Sequence, residues 1–204
     1  GEPRGITPTP QTRLSIALVV FGRQPSPGRC KRRLAASLGD QAAARVQHGL
    51  LAHTLAVSRQ WQHAAANGTV RLCLGHRQGA GGLGLRMQRQ IGRAVRAGAK
   101  AVVLVGSDLP GLSVQHVQQA FSALQHRPLV LGPACDGGYW LVGLTAQAHY
   151  HQRGRLFSGI AWGGPEVLRQ TLQQAAALQW QPELLRWQSD LDRIGDMAPW
   201  HGAA

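Results

Sequence analysis

The chain has 204 residues, 44% of them hydrophobic, with 22 Lys and Arg against 9 Asp and Glu, a net charge of +13. That length suits one domain able to bury about 70% of its unfolded-chain surface, and the composition excludes a disordered or collagen-like chain. No apolar run reaches the roughly 18 residues that a membrane-spanning helix needs, so no span is predicted. Residues 1–12 are polar and Pro-rich without an apolar h-region, which reads as a disordered leader before a single domain over residues 13–204.

Leu14 to Phe21 is a continuous apolar run, short and rich in β-branched residues, and predicts a strand buried on both faces. Gly22 to Gly28 is a Pro/Gly/Ser loop, and Cys30 to Leu38 reads as a short basic helix ended by Gly39. Asp40 is placed to N-cap a long helix from Gln41 to about Ala66. After the Asn67-Gly68 break, Val70 to Leu74 predicts a second strand. A Gly-rich loop, Gly75 to Gly84, leads into a helix from Leu85 to Ala97, and Ala101 to Val105 is another buried strand. Ser113 caps a helix through Leu124, and short strands at Leu129–Leu131 and Tyr139–Leu144 flank a turn from Gly132 to Gly138. Pro165 opens a helix to about Gln179, and a last strand near Glu183 to Trp187 precedes an acidic segment. Strands alternating with helices at this spacing predict an α/β/α sandwich with a mostly parallel, Rossmann-like sheet. Ligands in such sheets bind beyond the carboxyl ends of the strands, so the loops after Phe21, Val105 and Leu131 are where chemistry is expected.

Charge is unevenly spread: residues 1–100 carry 16 Lys and Arg against 2 acids, whereas residues 101–204 carry 6 against 7. The loop after the first strand concentrates Arg23, Arg29, Lys31, Arg32 and Arg33 around Pro27-Gly28. Backbone N–H groups, a helix start and guanidinium forks at a strand's carboxyl end suit a polyphosphate; a solvated basic helix face is the alternative. Gly79-Ala80-Gly81-Gly82-Leu83-Gly84 matches G-x-G-x-x-G. It lies four residues beyond its strand, where a dinucleotide turn must be tight, so a flexible active-site loop is expected instead.

Asp108 ends a buried strand within Ser-Asp-Leu-Pro-Gly, where a carboxylate can hold a divalent metal that bridges phosphates, or can simply form a turn before Pro110. Asp136, in Asp-Gly-Gly-Tyr-Trp, is either a turn residue or a functional carboxylate. Asp190, Asp192 and Asp196 gather three acids into seven residues, as a second metal ligand or as counter-charge for the arginines. The histidines show no metal-ligand spacing, and no G-x-S-x-G elbow supports serine hydrolysis. Cys30, Cys73 and Cys135 are too widely spaced for a disulfide framework or zinc knuckle; buried thiols in a reducing, cytoplasmic compartment are expected.

Several motifs then occur in order: Arg23-x-Pro25-x-Pro27-Gly28-x-x-Lys31-x-Arg33-Leu34, Leu83-Gly84-x-Arg86-Met87 and Gly106-Ser107-Asp108-x-Pro110. Leu131-Gly132-Pro133-Ala134-x-Asp136-Gly137-Gly138-Tyr139, Leu156-Phe157-x-Gly159-Ile160-x-Trp162 and Asp190-x-Asp192 follow. This series resembles the bacterial glycosyltransferase-like family of GT-A fold named for its association with radical-SAM/selenodomain proteins, and the resemblance covers about Leu14 to Trp200. That family is similar to nucleotidyltransferases such as the phospholactate and molybdenum-cofactor guanylyltransferases. The resemblance implies a transferase of nucleotide-diphospho-sugar type with a site for a nucleotide-sugar or a nucleoside triphosphate. It implies Mg²⁺ or Mn²⁺ at Asp108 with Asp192 as second ligand; Asp136, as the functional carboxylate of its turn, is expected to orient the acceptor or act as base. Arg23, Pro27, Gly28, Lys31, Arg33 and Arg86 would bind the donor phosphates. Departures from the family pattern fall at Arg32, Leu85, Gly163-Gly164 and Arg193-Ile194-Gly195. The last two bear on acceptor binding and the second metal site and point to a diverged or weakly active member. Nucleotidyl transfer to a phosphorylated acceptor is the sister reading, discriminated by release of pyrophosphate rather than a nucleoside diphosphate. The basic first half also raises a nucleic-acid-binding module, against which stands the lack of an aromatic-studded basic strand or a recognition motif.

Overall fold

The computed structural model of the chain describes residues 15–22 and 39–186. The leader, the segment holding Arg23, Pro27, Gly28, Cys30, Lys31 and Arg33, and the acidic segment holding Asp192 lie outside the described residues. Elements follow in the order β1 (Ser15–Gly22), α1 (Asp40–Ala64), β2 (Gly68–Leu74), a 3₁₀ turn (Gly75–Gln78), α2 (Leu83–Arg96) and β3 (Ala99–Val105). They continue with α3 (Val114–Ala123), β4 (Leu129–Pro133), β5 (Tyr139–Thr145), α4 (Ala146–Gln152), α5 (Val167–Ala177) and β6 (Glu183–Leu184).

The six strands form one sheet in the order β2-β1-β3-β5-β4-β6. β1 pairs in parallel with both β2 and β3, and β4 pairs in parallel with β6. β5 runs antiparallel between β3 and β4, because it returns from β4 through a short turn with no crossover helix. The expected mostly parallel sheet is therefore present, with β5 as its reversed strand.

The period-2 alternation of strands feeds two separate cores. Ala17 and Val19 of β1 with Val102 and Leu104 of β3 face Met87, Ile91 and Val95 of α2, Ala148 of α4 and Ala175 of α5. Leu18, Val20, Val103 and Val105 face the opposite way, onto Leu51, Val57 and Trp61 of α1 and Val117 and Phe121 of α3. Every central strand position is thus buried, which is why β1 and β3 read as unbroken apolar runs. Trp61 stacks on Phe121 with ring centroids 4.9 Å apart, and Gly68 lets the chain pass the indole at a distance a Cβ could not tolerate. Along α1, Thr54 and Ser58 satisfy their buried hydroxyls by donating to the carbonyls of Leu50 and Thr54 at 3.0 and 2.7 Å.

Several boundaries differ from the sequence-based expectation. The N-cap of α1 is Gly39, at φ +85°, and no side chain caps it; Asp40 is the first helical residue instead. Glycine adopts that φ without a Cβ penalty, so the helix starts one residue early. Ser113 does cap α3, in a capping box closed by His116. α4 was hidden by its shortness; Thr145 caps it by accepting from the Ala148 N–H at 3.1 Å. Pro165 lies in a turn two residues before α5. Among the described cysteines, Cys73 is buried as expected, whereas Cys135 is exposed, because it sits in the β4–β5 turn rather than on a strand face. No helix among the described residues is long and apolar enough to cross a membrane.

Candidate functional site

The strand order reverses direction at β1, whose two neighbours continue the chain on opposite sides. A crevice is expected beyond the carboxyl ends of strands at such a switch point. The two strand ends meet tightly there: a Cβ on Gly22 would lie 2.0 Å from the Ser107 hydroxyl oxygen. Ser107 is itself buried and lies within 3.5 Å of the Gln47 amide of α1.

An open cleft of about 570 Å³ occupies this end of the sheet. Its floor is the carboxyl end of β3 (Leu104, Val105, Gly106) and the amino end of β5 (Tyr139 to Val142). Phe21 of β1 and Leu83 and Met87 of α2 form one wall, and Trp162 to Pro165 form the other. Asp108 and Asp136, separated by 28 positions in sequence, both line this cleft and both are exposed to it. β3 delivers Asp108 in the loop after its last residue, and the β4–β5 turn delivers Asp136.

The Asp136 turn is held from both sides. Asp136 accepts through Oδ1 from the Gly138 N–H at 3.1 Å, the Asx turn foreseen on local grounds. Gly137, at φ +89°, approaches Pro165 so closely that a Cβ would sit 1.9 Å from the Pro165 carbonyl oxygen. Its own carbonyl accepts from the Leu168 N–H at 2.8 Å. The turn role and the cleft position therefore coexist in Asp136. Next to it, burial pushes the Tyr139 phenol up to about 12, partly offset by a hydrogen bond with Thr171. Tyr139 consequently stays a neutral hydroxyl across the physiological range.

Arg86 does not line the cleft. It flanks Leu83 and Met87 on α2 and donates through Nη1 to the Gln78 side-chain oxygen at 2.7 Å. The G-x-G-x-x-G segment is correspondingly tied down rather than a loose loop. Arg89 donates to the main-chain carbonyls of Gln78 and Ala80, and Gly79, at φ +85°, leaves room for the guanidinium. Gly84 packs its bare Cα against the Phe157 carbonyl. Gln78 carries no motif signal of its own, and its role is visible only once its bonds are seen.

The residues present suit a hard cation. Two exposed carboxylates in one cleft are oxygen donors of the kind Mg²⁺ uses, one or two at a time, with phosphate oxygens and water completing the shell. Among the described residues no group of three or more His, Cys, Asp and Glu side chains is arranged to hold a metal without such help.

Residues 40–164 match a family described as "Uncharacterized protein conserved in bacteria (DUF2064)". A comparison with curated proteins finds no match. Among solved structures, a candidate nucleotide-diphospho-sugar transferase from Desulfovibrio desulfuricans G20 is similar, with a TM-score of 0.74 and 27% identity, over 83% of this chain and 79% of that one. The 4-diphosphocytidyl-2C-methyl-D-erythritol synthase of Anaerococcus prevotii DSM 20548 shares the fold at a TM-score of 0.53 and 11% identity, over 92% and 98% of the two chains. A CMP:2-keto-3-deoxy-manno-octonic acid synthetase shares it at 0.50 and 8%, over 92% and 100%. The α/β sandwich is thus the fold of nucleotide-diphospho-sugar transferases and their relatives. Matched over well more than half of its length, the chain belongs to the DUF2064 family of bacterial proteins.

Proposed function

We infer that this protein is a metal-dependent transferase that takes a nucleotide-activated sugar as donor. One observation carries the reading: Asp108, at the carboxyl end of a central strand, shares one cleft with Asp136 and an aromatic wall. The likeness to the D. desulfuricans protein, at 27% identity, supports the donor class. Within DUF2064, the motifs at residues 131–139 and 156–162 support the glycosyltransferase-like branch named for radical-SAM association.

In this reading Asp108 ligates Mg²⁺ or Mn²⁺, with Asp192 as a second carboxylate. The metal, when bound, supplies electrostatic stabilisation of the charge that develops on the leaving diphosphate. Arg23, Pro27, Gly28, Lys31 and Arg33 hold the donor phosphates, with Arg86 reaching them from α2 beside the cleft. Asp136 orients the acceptor hydroxyl and takes its proton. The protonated Tyr139 hydroxyl can donate to an acceptor oxygen, and Trp162 covers the reacting groups from water.

A thermal-shift screen of nucleotides and nucleotide-sugars, with and without Mn²⁺, tests the reading on wild type and Asp108→Ala. Metal-dependent stabilisation that vanishes in Asp108→Ala is expected. Stabilisation that survives the substitution unchanged rejects the metal assignment. Analysis of the released product separates sugar transfer, which frees a nucleoside diphosphate, from nucleotidyl transfer, which frees pyrophosphate.

A further inference from the structure

Gln78 is the most heavily used polar side chain near the exit of β1. It is 3% exposed, and every polar atom of its amide is engaged. Its nitrogen donates to the Gly22 carbonyl at 2.8 Å and approaches the Cys73 carbonyl at 3.4 Å. Its oxygen accepts from Arg86 Nη1 at 2.7 Å. One buried amide therefore joins the last residue of β1, the end of β2 and the first turns of α2. Glycine at position 22, packed against Ser107, extends the connection to the residue preceding Asp108.

The chemistry of the partner matters as much as the geometry. Arg86 is gripped by a neutral amide, and Arg89 by two backbone carbonyls. No Asp or Glu occurs anywhere between Asp40 and Asp108. Among the described residues neither guanidinium meets a carboxylate, so both are oriented there without being neutralised. Arg86 also keeps a buried Nε–H with no hydrogen-bond partner among the described residues. Buried donors are normally satisfied, and a bound ion is one of the few things that accounts for an exception. A guanidinium held in place at full charge, with donor capacity left over, matches a phosphate oxygen group.

We propose that Gln78 is a positioning residue that presents Arg86 to a phosphate or diphosphate group at the exit of β1. This deepens the transferase reading by naming the side chain that orders its anion subsite. It concerns the anion alone and can be examined without knowing the base or sugar.

The experiment is a double-mutant cycle on the full chain, read by calorimetric titration with inorganic pyrophosphate in Mg²⁺ buffer. Arg86→Met is expected to weaken binding about tenfold, the size of a lost charge-assisted hydrogen bond. Gln78→Met alone weakens it about three- to tenfold, and in the Arg86→Met background it adds nothing, because its effect runs through Arg86. Additive losses would show that Gln78 only supports the fold, and absence of pyrophosphate binding to wild type would overturn the subsite outright. Should Gln78→Met fail to fold, Arg86→Lys serves: it keeps the charge but loses the planar fork that Gln78 orients, so affinity must fall, and unchanged affinity refutes the proposal. Pyrophosphate binding with the expected coupling, alongside no response to any nucleotide or nucleotide-sugar, would reject the transferase reading while leaving the subsite standing.

Discussion

Gly137→Ala probes the join between the Asp136 turn and the Pro165 wall, on which the shape of the cleft depends. Two costs act at once. At φ +89° an alanine is strained, at about 1–3 kcal/mol. Its Cβ would also sit 1.9 Å from the Pro165 carbonyl oxygen, and that atom is backbone, which cannot swing aside as a side chain would. Relieving the overlap means separating the turn from residues 165–168, at about 1–3 kcal/mol for overpacking. It also loses the 2.8 Å bond from Leu168 to Gly137, worth about 1 kcal/mol. The sum is about 3–7 kcal/mol, which for a chain of this size lowers Tm by roughly 6–28 °C. Gly98→Ala is the matched control: φ is +107° there, but nothing lies within 4 Å of the added methyl. It carries strain alone and should cost about 1–3 kcal/mol, or roughly 2–12 °C. Thermal and urea unfolding followed by circular dichroism compare the two. A Gly137→Ala loss no larger than that of Gly98→Ala refutes the packed join and with it the fixed placement of Asp136.

Three further outcomes follow from the same structure. Because burial holds the native Tyr139 phenol near 12, the unfolded chain loses this proton first, near 10. Stability from this group is complete below pH 10 and is lost as pH rises from 10 toward 12, by about 2–3 kcal/mol. Tyr139→Phe should flatten that alkaline decline in Tm, and an identical slope in the variant excludes Tyr139 as its source. Trp61→Ala removes a side chain 2% exposed and stacked on Phe121; urea unfolding should register a loss of about 3–5 kcal/mol. Ser113→Ala opens the capping box with His116 and should cost about 1 kcal/mol, measurable as a small fall in the denaturation midpoint without a change in m.

Much of this architecture was legible from apolar patterning. β1 and β3 announce themselves because strands buried on both faces need no alternation, and the Pro/Gly punctuation after them marks the strand ends where ligands bind. Asp108 and Asp136 stood out because carboxylates are so scarce in this chain. That they face one cleft was not readable, since it depends on β5 being inserted between β3 and β4, a pairing no local signal encodes. Gln78 was invisible for a similar reason. A glutamine is ordinarily a solvated residue, and only the convergence of Gly22, Cys73 and Arg86 turns it into a buried junction. The opposite error occurred at Asp40, where a good capping residue was displaced by a glycine able to adopt a positive φ.

The net charge of +13 taken alone favours a polyanion such as RNA, but the fold distributes it in a way that binding of that kind does not require. Residues 41–107 contain nine Lys and Arg and no acid, and they build α1, β2, α2 and β3. The carboxylates of Asp108 and Asp136 enter directly after that stretch and line the cleft at the strand ends. Beside a bare phosphate each carboxylate is repulsive, by about 1 kcal/mol at 4 Å in water and about 4 kcal/mol at a protein surface. A surface serving RNA gains nothing from such groups. A transferase site has a use for both: Asp108 would ligate a divalent cation that offsets its repulsion of the phosphate, and Asp136 would serve the acceptor hydroxyl. Phosphate-directed binding should therefore depend on Mg²⁺ or Mn²⁺ and lose that dependence in Asp108→Ala. Binding to RNA that is steep in salt, indifferent to the divalent ion and unaffected by Asp108→Ala would reverse the assignment.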